Sequence, residues 1–179
     1  KIGNISGSTT TNNTTNNTIN NKFNLSLFLN EECKDAINIE DFVDSLQIHL
    51  KDLENTKEKG LVSSISNIII NELNKLDISK RPIHCTDIKR DVLYIKDEEK
   101  WGKDPQKDKI KQSINEIANK QRISINQWTE ANPNWMENEK LKDEYVKLVN
   151  HLMHPVEDTE KEQNKIIKNV SAATVIDKE

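Results

Sequence analysis

His84 and Cys85 are the first residues in this chain with types suited to chemistry: an imidazole beside a thiol, inside Lys80–Trp101, KRPIHCTDIKRDVLYIKDEEKW. A thiol–imidazole nucleophile needs the two side chains in hydrogen-bond contact, with a third group orienting the ring. Neighbours on a strand point to opposite faces, so these two cannot serve one another. The order predicts a buried, structural Cys85 and an outward His84. Metal ligation is the second chemistry to weigh. His84, Cys85, His151 and His154 are all ligand types, and the last two stand at helical i, i+3 spacing. The paired-cysteine spacing of a zinc site is missing, however, and Pro155 stops the helix at that point. Histidines at a helix C-terminus are also expected from the dipole alone. A nuclease-like set could be drawn from Asp87, Asp91 and Lys96, but with 30 acidic residues such sets arise by composition. No P-loop, dinucleotide fingerprint, nucleophile elbow or zinc-protease helix is present, and four glycines leave little for a phosphate-cradling loop. The expectation is a protein that is not an enzyme, with no catalytic residue, no metal and no cofactor.

The cations carry more information. Lys80–Arg122 holds twelve Lys/Arg against eight Asp/Glu, a local +4, which leaves −8 on the rest of a chain whose total is −4. Such asymmetry marks a side that could face a polyanion. Lys80, Arg81, Lys89 and Arg90 sit at the base and tip of an expected hairpin. Lys107, Lys109, Lys111, Lys120 and Arg122 follow on the next helix. Arg81, His84, Asp87, Lys89 and Arg90, with Lys107 and Lys111, are the expected nucleic-acid or partner-binding residues.

These residues must be positioned by a mostly helical body. The 179 residues are 34% hydrophobic and 31% charged, enough for one core and an additional unpacked stretch. Residues 1–21 are an Asn/Thr-rich arm, readable either as a linker or as a strand that builds a homo-oligomer. Residues 22–179 read as one mainly helical α+β domain. Phe23–Leu29 alternates like a half-buried strand, and Asn30 looks like the cap of a short helix around Glu31–Ile37. Glu40–Leu53 reads as one helix, Glu54–Gly60 as a turn, and Leu61–Leu76 as the strongest helix of the chain. Pro82 interrupts, and Ile83–Cys85 with Val92–Ile95 form a short β-hairpin, after which a turn returns Trp101 to the body. Four further helices centre on Ile114, Trp128, Leu148 and Ile167, with an edge strand at Thr174–Ile176. No run is long and apolar enough for a membrane span, and two distant cysteines make no disulfide framework. A chain beginning at Lys1 implies a segment upstream.

The pieces RPIHCTDIKR and YIKDEEKW, with FLNEECKDAINIEDFVDSL before them and NQWTEANPNW after, carry a resemblance. The chain from about Asn20 to Lys178 resembles the C-terminal region of a family of uncharacterised proteins from large (giant) DNA viruses. Members often carry an N-terminal C2H2-type zinc finger, a coiled-coil-like middle and an Asn/Thr-rich run. The resemblance implies a viral assembly or interaction module that assists DNA binding by an upstream finger, with nucleic acid as a partner, in the host cytoplasm, virus factory or virion. The competing expectation is a virion or fibre-head domain, trimerised through residues 1–29.

Overall fold

A computed structural model describes residues 23–178; the expected arm or oligomerisation strand at 1–21 lies outside the described residues. The fold is α+β and mainly α, as expected. Among the described residues are eight helices, α1 (Leu25–Leu27), α2 (Ile39–Ser45), α3 (Leu50–Lys59), α4 (Leu61–Asn74), α5 (Asp108–Ile123), α6 (Asn126–Ala131), α7 (Glu139–Leu152) and α8 (Glu160–Ala173), and one small sheet of β1 (Ile83–Asp87), β2 (Val92–Asp97) and β3 (Lys100–Lys103), on which α2 and α8 pack.

The helical body follows from apolar spacing. On α4, Leu61, Ile65, Ile68, Ile69 and Leu73 repeat near the helical period and are all buried, each worth about 1.5–3 kcal/mol relative to exposure. This helix packs on α3 and α8, while α3 also packs on α7. Gly60, at φ 85°, makes the corner between α3 and α4, a conformation that only glycine adopts without strain. The turn expected at Glu54–Gly60 is therefore confined to Gly60. The single helix expected over Glu40–Leu53 is broken after Ser45. His49 begins α3 with a reciprocal cap, its backbone N–H donating to the Asp52 carboxylate at 2.8 Å. That local cap outweighs a continuous apolar stripe.

The sheet is an antiparallel meander, with Ile83 opposite Ile95, His84 opposite Tyr94 and Cys85 opposite Leu93. The third strand was missed because Lys100–Lys103 has no apolar alternation; it pairs along β2, with Trp101 opposite Lys96. The β1–β2 ladder shifts register between Cys85 and Asp87. The expected C-terminal edge strand is a single parallel bridge between Cys85 and Val175. Cys85 N–H donates to the Thr174 carbonyl, and Ile176 N–H donates to the Cys85 carbonyl.

Strand alternation then divides the sheet. Ile83, Cys85, Leu93 and Ile95 face the helical body and belong to its continuous apolar core. His84 and Lys96 face the other way, together with Trp101, and there the chain segment after Phe23 lies over them. That segment is not the expected strand. The Asn24 side chain accepts from Leu27 N–H, so the cap falls at Asn24 rather than Asn30, and α1 opens into a π-helical turn, Phe28–Glu32. Leu29, Cys33 and Ala36 are the buried positions, a helical rather than an alternating spacing. Among the described residues no helix is long and apolar enough to cross a membrane.

Candidate interaction surface

Of the seven residues expected to form a recognition edge, His84 is in the wrong place. Its side chain does point away from Cys85, but that face is covered, and the residue is only 2% exposed. Phe28 meets the imidazole edge-on at 5.1 Å between ring centroids, Trp101 lies at 5.4 Å, and Cys33 Sγ stands 3.6 Å from Nε2. The outward position predicted for it assumed one solvated sheet face. The layer of 23–38 removes that solvent.

This brings together a thiol and an imidazole that sequence spacing could not pair, Cys33 and His84. Their electrostatics oppose nucleophilic chemistry. Burial first, then the nearby Arg81 charge, pushes the imidazole down to about 4, with the Ile78 carbonyl working the other way. Burial and the Glu32 charge push the Cys33 thiol up to about 11. A thiolate–imidazolium pair needs both shifts reversed. Cys85, 0% exposed, is likewise pushed up by burial. The contact is a clamp holding the N-terminal segment on the sheet.

Lys96 completes the clamp. Its buried ammonium donates to the carbonyls of Lys34 at 2.6 Å and Ala36 at 2.7 Å, and Glu99 stands 3.3 Å away. Trp101 Nε1 donates to the Cys33 carbonyl at 3.1 Å. Hydrogen bonds from Asn38 and Lys96 hold the Glu99 carboxyl below its usual range. Lys96 therefore sits at the opposite end of β2 from Asp91, and the nuclease-like set of Asp87, Asp91 and Lys96 does not converge. No cluster of three or more His, Cys, Asp or Glu able to hold a metal ion occurs among the described residues.

Arg81 is also diverted. Its Nε donates to the Leu76 carbonyl at 3.3 Å and its guanidinium reaches Asn74 Oδ1 at 3.4 Å, so it closes the C-terminal end of α4. Lys80 pairs with Asp35 at 3.7 Å.

Of the remaining candidates, Asp87, Lys89 and Arg90 lie at the turn end of the sheet, and Lys107 and Lys111 lie at the start of α5. The β1–β2 turn, Ile88–Asp91, carries Lys89 and Arg90, both exposed. Asp87 shapes that turn by accepting from Arg90 N–H at 3.2 Å, while the Arg90 side chain, 83% exposed, is 4.0 Å from the same carboxylate. A pair at that distance and exposure contributes little and leaves the guanidinium available. Because β3 runs back towards this turn, its last residue, Lys103, lies opposite Tyr94, two residues from the turn end of β2, and Asp104 N–H donates to the Leu93 carbonyl. Lys107 follows at φ 63°, just before α5, and Lys111 N–H donates to its carbonyl. Lys178 arrives from the C-terminal segment, its ammonium donating to the Thr86 carbonyl at 2.7 Å. Lys89, Lys103, Lys107 and Lys111 form no ion pair with a described residue.

Two of the acids at this end are committed to the fold, Asp87 to the turn and Asp104 to a helix cap. Asp104 is buried and accepts from Ile110 N–H at 3.1 Å, capping α5. Asp91 has one buried carboxylate oxygen without a hydrogen-bond partner, and Asp108 and Asp177 are exposed. Lys103 and Lys178 were not among the expected residues. The missed third strand hid the first, and only the Cys85–Val175 bridge places the second.

Compared with known protein families, curated proteins and solved structures, this chain matches none.

Proposed function

We propose that this chain is a non-enzymatic assembly and interaction module, of the large-DNA-virus kind its motif resembles, that contacts nucleic-acid phosphates through the turn end of its sheet. The observation supporting this reading is that three separate chain stretches bring cations towards that end: Lys89 and Arg90 on the β1–β2 turn, Lys103 and Lys107 between β3 and α5, and Lys178 against the Thr86 carbonyl. The sheet delivers backbone-fixed cations towards one rim, while the Asp87 and Asp104 carboxylates beside them are occupied by turn and helix capping. Phosphate contacts of this type position a protein without reading sequence. The module would add affinity to a base-reading partner, such as an upstream zinc finger, and have little sequence preference of its own.

The test is titration of short duplex and single-stranded oligonucleotides at several salt concentrations. Binding should weaken steeply as salt rises, and Lys89→Glu with Arg90→Glu should lower the log–log slope by about 2, since each lost phosphate contact removes about 0.9. Salt-insensitive binding, or none, counts against the reading. The competing head domain trimerised through residues 1–29 predicts instead a concentration-independent oligomer that dissociates when residues 1–21 are deleted.

A further inference from the structure

His151 and His154, which the interaction surface does not use, line a cleft of about 240 Å³ with Lys59, Gly60, Leu61, Val62, Glu162 and Lys165. The cleft lies where the α3–α4 corner meets the end of α7 and the start of α8. Lys59 and Lys165 are exposed, and neither forms an ion pair with a described residue. Two lysines that form no ion pair with a described residue therefore line one concave space.

The histidines are held in different ways. His151 Nδ1 is 2.9 Å from the Thr56 carbonyl oxygen; a carbonyl only accepts, so Nδ1 carries the proton and Nε2 is the ring's second polar atom. His154 Nε2 is 2.5 Å from Glu162 Oε2. Glu162 is the one carboxylate of the lining, and it opposes an anion; one of its oxygens is taken up by His154 Nε2. One wall is the first turn of α4, which has no side-chain cap, and at Gly60 the backbone enters without a side chain.

We propose that this cleft binds a small phosphate-bearing anion, with Lys59 and Lys165 as its principal charged contacts. The volume is below the 300–1,000 Å³ usual for sites that enclose a drug-sized ligand. A phosphate or pyrophosphate group is therefore the recognised unit, whether free or at the end of a larger molecule. Paired ammonium groups act on such a group as point charges, and the α4 turn adds N–H donors of the kind that favour anions.

The experiment is an amide NMR titration of the full chain with inorganic pyrophosphate at 0.15 M NaCl, a concentration at which loose surface attraction is screened. A parallel arm uses a nucleoside monophosphate. Saturable shifts should centre on Gly60, Leu61 and Val62, and the pairing Lys59→Ala with Lys165→Ala should weaken them about tenfold or more. Both lysines are exposed and unpaired, so the melting temperature should not move. Glu162→Gln should tighten binding several-fold, because it removes the opposing charge. Stronger binding of the monophosphate would identify a terminal phosphate on a larger molecule, and stronger binding of pyrophosphate a free polyphosphate. Shifts that do not saturate by about 20 mM, or a double variant that binds like the parent, overturn the proposal. The variant Lys89→Glu with Arg90→Glu serves as the control that separates this site from the turn end of the sheet.

Discussion

The two ends of the Pro82–Trp101 excursion use similar residues for opposite purposes. At the base, His84, Lys96 and Trp101 are polar or amphipathic side chains whose polar atoms reach Cys33, the Lys34 and Ala36 carbonyls, and the Cys33 carbonyl. At the tip, Lys89 and Arg90 stand in solvent on a turn that Asp87 shapes through the backbone. A lysine is thus a structural staple at position 96 and an available cation at position 89. What separates them is whether another layer of chain covers that part of the sheet.

The comparison can be broken most strongly at the base. Lys96→Met keeps most of the buried stem but leaves the Lys34 and Ala36 carbonyls without their donor, which should cost about 4 kcal/mol. Urea unfolding at neutral pH would measure it. A loss below about 1 kcal/mol would mean that the covering segment contributes little to stability.

The next largest effect is a pH dependence. His84 is held at about 4 against an ordinary 6.5, so the unfolded chain binds a proton that the folded chain resists. Its contribution is complete above 6.5 and is lost as pH falls towards 4, amounting to about 3 kcal/mol across that window. His84→Gln should flatten that part of the stability–pH curve, as checked by thermal melts. Equal slopes in parent and variant would contradict the buried, neutral imidazole.

At the tip the stability effects should be small. Lys89→Glu with Arg90→Glu should change unfolding free energy by no more than about 0.5 kcal/mol. Oligonucleotide affinity should fall about tenfold or more at low salt. Lys103→Ala alone should weaken binding a few-fold, a weaker version of the same effect, measurable by anisotropy.

Much of the helical body was legible because its signal is local. The stripe on α4 and the apolar repeat of α5 through Ile110, Ile114 and Ile117 need no knowledge of neighbours. The hairpin was legible too, since Pro82 and two β-branched runs bound a polar turn. Three features were not. Phe23–Leu29 offers both an alternating and a helical reading, and the Asn24 cap decides between them. The strand Lys100–Lys103 is legible only from its pairing with β2. The burial of His84 depends on Cys33, 51 residues away in sequence, so no spacing rule along the chain could have placed it. For the same reason the tip cations were identifiable from sequence, while Lys103 and Lys178 were not.

The most direct measurement sets folding and binding side by side on one pair of proteins, Lys96→Met and Lys89→Glu with Arg90→Glu. Melting temperature and salt-dependent oligonucleotide affinity are recorded for both, below the lower melting temperature. The account predicts that the base variant melts markedly earlier yet binds like the parent, while the charge-reversed tip melts like the parent and binds about tenfold or more weakly, with a lower salt slope. A tip variant that binds as the parent does, with the same salt slope, would contradict the assignment of this end as the interaction surface.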